Sequence, residues 1–226
     1  QENGLDPHLY SGRNQTYPGN NFDYHLLPFE DAIKNNLKVI MPYYGIPIGI
    51  TNEDVAMGYN KYILSDLLRE ELGFDGVICS DWGIISGRHW GVDNLSIRER
   101  YKKSLLAGID QYGGEDDPEH IINLINDNEI PIERINNSVR RILINKFDLG
   151  LFDNPYVDEK LIRERVATDE NIAFGLDAQR KSIVLLENDG ILPLKNEQSV
   201  FVDGLDKRIA SSFGKVVNDP EKADII

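Results

Sequence analysis

Five stretches of this chain have the pattern of amphipathic helices, with apolar residues at helical spacing or capping residues at their ends. They are 26–36, 59–72, 98–107, 117–127 and 131–147. One face of the second is marked by four apolar residues, Tyr59, Ile63, Leu67 and Leu72. Gly73 follows directly, in the position where glycine commonly ends a helix. These stretches predict helices that each turn one side toward a core.

Short apolar runs lie between these helices and predict strands. They are "KVIMPYY" (38–44), "GVICSD" (76–81) and "GIDQYGG" (108–114). Strands that alternate with helices of about 10–15 residues indicate an α/β fold with a parallel sheet. Right-handed crossovers then bring the carboxyl ends of all strands to one face of the sheet.

The pattern changes at "LGLFDNPYVDE" (149–159), which indicates a boundary. A linking helix at 169–181 leads to three further predicted strands, "SIVLLEND" (182–189), "SVFVDGLD" (199–206) and "KADII" (222–226). We therefore expect residues 1–153 to form one domain, 154–178 a linker, and 179–226 the opening of a second α/β domain. Both ends of the sequence suggest a piece of a longer polypeptide.

Composition narrows the possible partners. The chain has 226 residues, of which 41% are hydrophobic, and a formal net charge of −14. A nucleic-acid binder needs a basic surface, which this chain lacks, so we expect no nucleic-acid partner. No run of about 18 apolar residues is present, so no membrane span is expected. The single cysteine, Cys79, excludes an internal disulfide.

Candidate chemistry stands where the predicted strands end. Tyr44 ends the first strand, Asp81 and Trp82 follow the second, and Asp110 lies in the third with Glu115 just beyond. Polar residues at the carboxyl ends of parallel strands line the ligand site. A carboxylate beside aromatic rings suits sugars, since acids attack or protonate the anomeric centre and flat rings stack on C–H faces. No Cys and His cluster at ligand spacing, so no metal or cofactor is expected.

Each candidate also has a purely structural interpretation. Asp81 could cap the next helix, and Trp82 could pack in a core or an interface. Tyr44 could be a packed loop aromatic. The structural interpretation is favoured for Asp110, as an acceptor for backbone groups between strands and helices. The carboxylates of Glu115 and Asp116, in a Gly-rich loop, are expected to be solvated.

His89 and Trp90 form a pair in the loop that follows the second strand. They could form an exposed platform for a sugar or a surface latch. Neither their spacing nor their neighbours in sequence decides between these interpretations.

The segment "LREELGFDGVICSDWG" (68–83) resembles the nucleophile region of glycoside hydrolase family 3, the β-glucosidase and β-xylosidase group. Four other blocks resemble the same family in the right order: "LPFEDAIKNNLKVIMPYY", "LLAGIDQ", "SVRRILINKFDLGLFDNP" and "RKSIVLLENDGILPLKN". The resemblance implies the C-terminal portion of a TIM-type (β/α)8 barrel in residues 1–153, followed by the beginning of an α/β sandwich domain.

The resemblance also implies roles for individual residues. Asp81 matches the family's catalytic nucleophile, and Trp82 matches the aromatic residue beside the leaving group. Tyr44 matches a tyrosine that helps to orient the nucleophile. Independently of the resemblance, Trp90 is expected to bind substrate as part of the sugar platform described above. The family's sugar-holding motifs and its general acid/base glutamate have no counterpart in these 226 residues.

The implied activity is the hydrolysis of terminal non-reducing β-D-glycosyl residues, β-glucosyl above all, by a retaining double displacement. The substrate would be an oligosaccharide or an aryl or alkyl β-glycoside, and the rest of the polypeptide would complete the barrel and the site. A β-xylosidase and a non-catalytic glycan- or protein-binding member are the alternatives. The "GIDQYGGE" segment departs from the family's commoner form, which leaves the sugar open. The resemblance favours a periplasmic or secreted location.

Overall fold

The computed structural model describes residues 4–195 and 198–226. Two compact units make up the chain, Gln1–Tyr156 and Val157–Ile226. In the first unit, the helices are α1 (Phe22–Lys34), a π-helix (Tyr62–Glu71), α2 (Ile97–Ala107), α3 (Glu119–Asn126) and α4 (Ile132–Asp148). All five helices predicted for this unit are therefore present, with ends that differ by a few residues.

The residues that end these helices adopt left-handed backbone conformations. Asn36 follows α1 with φ at +67°, Gly73 follows the π-helix with φ at +70°, and Gly150 follows α4 with φ at +68°. Glycine reaches this region without steric cost and asparagine with little, which explains why the helices stop there. At the start of α2, the Ser96 hydroxyl accepts a hydrogen bond from the Glu99 amide and the Glu99 carboxylate binds back to Ser96.

A parallel sheet of three strands runs through the first unit in the order β2 (Val39–Ile40), β4 (Val77–Trp82), β5 (Gln111–Gly113). The alternation of strands and helices thus produces the predicted parallel α/β fold. The register between β4 and β5 becomes irregular between Cys79 and Trp82, at the carboxyl end of β4. Such irregularities re-aim side chains. A separate parallel pair joins β1 (Asn14–Gln15) to β3 (Ile46–Pro47).

Two clusters of apolar side chains form the core of the first unit. One surrounds Ile78 and Ile109, which have no exposed surface, and packs the sheet on the π-helix. The other joins α2 and α3 to the segments that follow β3 and β4, and is centred on four residues, Tyr59, Ile85, Tyr101 and Leu124. The second cluster therefore anchors the segment that comes directly after Asp81 and Trp82.

The second unit contains α5 (Ile162–Arg165), α6 (Asp169–Ser182), α7 (Lys207–Ala210) and the parallel pair β6 (Ser199–Val200) and β7 (Lys215–Val216). Ile225 forms an isolated bridge with Val200, where the strand "KADII" was predicted. The prediction of a strand at 182–189 is wrong. Its apolar residues are exposed, Leu186 by 92%, and no ladder joins them to any other part of the chain that the structure describes. A strand requires a hydrogen-bonded neighbour.

Candidate active site

Asp81 and Trp82 form the end of β4, where the buried strand meets the surface. Ser80, just before them, has no exposed surface. Its hydroxyl donates to the Asp81 carbonyl at 2.9 Å and accepts from the Gly113 amide of β5 at 2.9 Å. Oδ1 of Asp81 accepts the Trp82 amide at 2.7 Å. The carboxylate therefore lies at the carboxyl-terminal edge of the sheet, on a strand that is fixed from both sides.

Tyr44 contacts this strand end directly. Its side chain is 2% exposed, and its hydroxyl donates to the Trp82 carbonyl at 2.6 Å. Burial, followed by the neighbouring Asp81 carboxylate, raises the pKa of Tyr44 to about 12. The tyrosine thus stays protonated at neutral pH and remains a hydrogen-bond donor to the peptide that joins Trp82 to Gly83.

The Trp82 indole lies on a backbone turn made by two glycines. A Cβ added to Gly113 would come within 2.7 Å of the ring, and one added to Gly114 within 2.6 Å. Only glycine admits such a close approach of ring and backbone. Because the Trp82 side chain is still 58% exposed, the ring also offers surface to a ligand. The exposure shows that Trp82 is not a core residue.

Trp90 is directed to a different place. Its indole Nε1 donates to the Pro7 carbonyl at 3.0 Å, and its ring meets that of Tyr10 edge to face at 5.6 Å. The residue is half-buried against the apolar cluster around Tyr59. These contacts match the alternative of a latch that ties the N-terminal segment to the loop after β4. Tyr44, Asp81 and Trp82 lie together in the structure. Trp90 lies outside this group and contacts Pro7 and Tyr10 instead.

Two side chains beside Tyr44 were missed by the sequence reasoning. The Arg88 guanidinium lies 5.0 Å from the centre of the Tyr44 ring, and its Nε donates to the His8 carbonyl at 3.2 Å. The His8 ring meets the Tyr44 ring edge to face at 5.1 Å. His8 lies in a segment rich in Gly, Asn and Pro that predicts only a loop, so no local signal could place it there. Both side chains add polar groups next to the Tyr44 ring.

The expectation that Glu115 is solvated is wrong. Its Oε1 accepts the amides of Ile85 and Ser86 at 2.8 and 3.0 Å, and the Ser86 hydroxyl at 3.2 Å. The carboxylate satisfies backbone donors of the segment after Trp82, which Ile84 and Ile85 anchor in the core. An acid directly after a glycine pair at a strand end is the only signal for this role in the sequence.

Asp110 is the buried acceptor that the sequence predicts, although its partners are mostly arginines. Its side chain has no exposed surface, and Oδ2 accepts from the Ile78 amide at 3.0 Å. It also accepts from four side chains: Arg69 at 2.6 Å, Ser138 at 2.6 Å, Arg141 at 3.0 Å and Arg134 at 3.4 Å. Asp110 therefore ties β4 to the π-helix and α4 and has a structural role.

Comparison with known proteins gives this site its context. Residues 4–144 match the model of the glycosyl hydrolase family 3 N terminal domain, which is more than half of the chain. The chain belongs to glycosyl hydrolase family 3. It is 46% identical over 99% of its length to a probable β-glucosidase C of Aspergillus flavus, and 35% identical over 99% to a periplasmic β-glucosidase/β-xylosidase of Dickeya chrysanthemi. The match spans 38% of the length of each of these relatives.

Solved structures of this family have the same fold. A β-glucosidase from Listeria innocua superposes with a TM-score of 0.67 at 26% identity, over 89% of this chain and 29% of the other. The parallel α/β arrangement is thus that of a portion of the family 3 barrel, as the sequence resemblance implies. Within residues 4–195 and 198–226, no group of three or more His, Cys, Asp or Glu side chains is placed to hold a metal ion. No helix among these residues is both long and apolar enough to span a membrane.

Proposed function

We propose that the polypeptide containing this chain hydrolyses terminal non-reducing β-D-glycosyl residues, β-glucosyl ones above all, with retention of configuration. The observation that carries the proposal is the position of Asp81. Its carboxylate ends a buried strand at the carboxyl-terminal edge of a parallel sheet, close to the Tyr44 hydroxyl and next in sequence to Trp82, whose indole is exposed. Catalytic residues of barrel enzymes occupy this edge.

In the first step, a carboxylate oxygen of Asp81 attacks the anomeric carbon of the substrate. The bond from that carbon to the leaving oxygen breaks, and the leaving oxygen takes a proton from a carboxylic acid elsewhere in the polypeptide. In the second step, water attacks the same carbon and the bond to Asp81 breaks. The group that acted as the acid is now a carboxylate, and it takes the proton of the water. Retention requires the two carboxyl groups to be about 5–5.5 Å apart.

The neighbours of Asp81 support this use of its carboxylate. Tyr44 holds the Trp82 carbonyl, which keeps the peptide between Trp82 and Gly83, one residue beyond Asp81, in one orientation while the covalent bond forms and breaks. The exposed face of Trp82 is placed to stack on the leaving group, a contact that contributes about 1 kcal/mol beyond burial. Trp90 contributes indirectly, by holding residues 7–10 next to Arg88 and Tyr44.

We also propose that residues 1–153 act as the C-terminal part of a barrel domain, 154–178 as a linker and 179–226 as the start of a sandwich domain. The second carboxylic acid and the groups that hold the sugar would come from the remainder of a longer polypeptide. The length of the relatives supports this, because the chain spans only 38% of the Aspergillus protein.

The substitution Asp81→Asn in the full-length protein tests the proposal. The amide is a poor nucleophile, so we expect aryl β-glucoside hydrolysis to fall by about 10⁴-fold or more. The product of the parent enzyme, followed by proton NMR, should appear first as the β anomer. Hydrolysis near the parent rate in the variant, or a product that appears first as the α anomer, would show that the assignment is wrong.

Hydrolysis of β-xylosides is a second candidate activity. It is favoured by the name of the Dickeya relative, a β-glucosidase/β-xylosidase. Comparing kcat/KM for 4-nitrophenyl β-glucoside and β-xyloside separates the two. A ratio above one in favour of the glucoside supports the first choice.

A further inference from the structure

The turn that follows β5 contacts the segment that follows the candidate nucleophile. Glu115, in this turn, places one carboxylate oxygen within 2.8–3.2 Å of the Ile85 amide, the Ser86 amide and the Ser86 hydroxyl. Hydrogen bonds to an ionised acceptor are about twice as strong as those between neutral groups. The Ile85 side chain is 1% exposed, so its burial opposes an outward movement of this part of the segment.

Other groups fix the rest of this segment, residues 83–88. The Gly83 amide donates to Gly113, Tyr59 donates to the Ile84 carbonyl and Arg100 to the Ile85 carbonyl, at 3.1, 2.5 and 3.0 Å. Each of these contacts fixes one backbone group, whereas the Glu115 carboxylate fixes two backbone amides and a hydroxyl. Glu115 is therefore the contact whose removal frees the largest part of the segment.

The same turn supports the Trp82 ring. The indole lies against Gly113 and Gly114, the two residues that come directly before Glu115. Trp82 thus depends on this turn in two ways, through the surface on which its ring rests and through the backbone that continues from it into 83–88. A change in the turn alters the ring first and the Asp81 carboxylate, one residue further back, second.

We propose that Glu115 is a positioning residue, which fixes the Trp82 indole beside the leaving group and so determines how well the enzyme uses a bulky aglycone. The inference rests on the proposed function, which assigns Trp82 to the leaving-group side of the active site. Without the carboxylate, the amides of Ile85 and Ser86 lose their acceptor, and the segment rearranges so that these amides find another one. The indole then turns away from the position in which it meets the aglycone.

Two substrates that share the glucosyl group but differ in the leaving group make this testable. 4-Nitrophenyl β-glucoside has an aromatic aglycone that can stack on an indole, whereas β-glucosyl fluoride has none. The variants Glu115→Ala, Glu115→Gln and the matched control Asp116→Asn, an exposed neighbour in the same turn, are made in the full-length protein. For each variant, kcat and KM are measured with both substrates.

We expect Glu115→Ala to lower kcat/KM for the aryl glucoside by about tenfold more than for the fluoride. Glu115→Gln should fall between the parent and Glu115→Ala, because its amide oxygen still accepts from one or two of the donors. Asp116→Asn should match the parent on both substrates. Equal fractional losses on both substrates, or no loss on either, would overturn the inference, since a residue that only stabilises the fold lowers the melting temperature without changing this ratio.

Hydrogen exchange gives a readout that does not depend on activity. The peptide that contains residues 83–88 should exchange faster in Glu115→Ala than in the parent, while a peptide from α4 exchanges equally in both. Unchanged exchange at 83–88 would overturn the inference. Faster exchange in a protein whose parent form hydrolyses neither glucoside would instead overturn the proposed function and leave the anchoring role of Glu115 standing.

Discussion

Replacing Asp110 with alanine should destabilise the first unit strongly, because this buried carboxylate accepts hydrogen bonds from three arginines. Its side chain has no exposed surface, and the arginine side chains Arg69, Arg134 and Arg141 are only 14%, 17% and 29% exposed. Removing one partner of a buried ion pair costs about 3–5 kcal/mol, since the other charge is left without compensation.

The arginines moderate this cost because they have other acceptors. Arg69 also donates to the Gly76 carbonyl at 2.6 Å, and Arg134 to the Ile109 carbonyl at 2.6 Å. We therefore expect the lower end of the range, about 3 kcal/mol for Asp110→Ala, and about 2 kcal/mol for Asp110→Asn, which keeps one acceptor oxygen.

Urea unfolding of the full-length protein, followed by far-UV circular dichroism, measures these losses. With a slope of about 3 kcal/mol per molar urea, a loss of about 3 kcal/mol moves the midpoint down by about 1 M. Asp116→Asn, an exposed aspartate, serves as the control. A loss below about 1 kcal/mol for Asp110→Ala, at an unchanged slope, would refute the view that this carboxylate holds β4, the π-helix and α4 together.

Two further predictions concern Tyr44 and Glu129. Tyr44→Phe removes the donor to the Trp82 carbonyl, which costs about 1–3 kcal/mol. We therefore expect kcat for an aryl β-glucoside to fall by about tenfold with little change in KM. An unchanged kcat would contradict a role of Tyr44 in orienting the strand end. Lys102 and then Arg98 lower the pKa of Glu129 to about 2, so its contribution to stability is present above the unfolded pKa of about 4.3 and is lost as the pH falls toward 2. In low salt, the unfolding free energy of Glu129→Gln should therefore decrease less than that of the parent as the pH falls over this range. An equally steep decrease in the variant and the parent would contradict the prediction.

The order of the elements could be predicted from the sequence because local patterns encode it. Apolar spacing marks the helices, and Asn36, Gly73 and Gly150 mark their ends through backbone conformations that few residues adopt. Asp81 and Trp82 could be placed at the edge of the sheet because the apolar run before them is short and uninterrupted. A strand end followed by polar residues has a defined position in any parallel α/β fold.

The contacts around the site could not be predicted in this way. Glu115 binds amides thirty residues earlier in the chain, and His8 reaches the Tyr44 ring across a gap of thirty-six residues. Such pairings depend on the register of neighbouring strands and on the paths of loops, which carry no local periodicity. The predicted strand at 182–189 failed for a related reason, because an apolar run becomes a strand only beside a hydrogen-bonding neighbour.

Trapping the glycosyl-enzyme tests directly whether Asp81 forms the covalent bond to the sugar. A 2-deoxy-2-fluoro-β-glucoside with a good leaving group glycosylates the nucleophile of a retaining enzyme quickly, and the fluorine slows the second step so that the intermediate accumulates. After digestion of the labelled full-length protein, peptide mass spectrometry locates the added sugar. We expect the label on Asp81, in the peptide that continues into Trp82. A label on any other carboxylate of the protein would contradict this assignment.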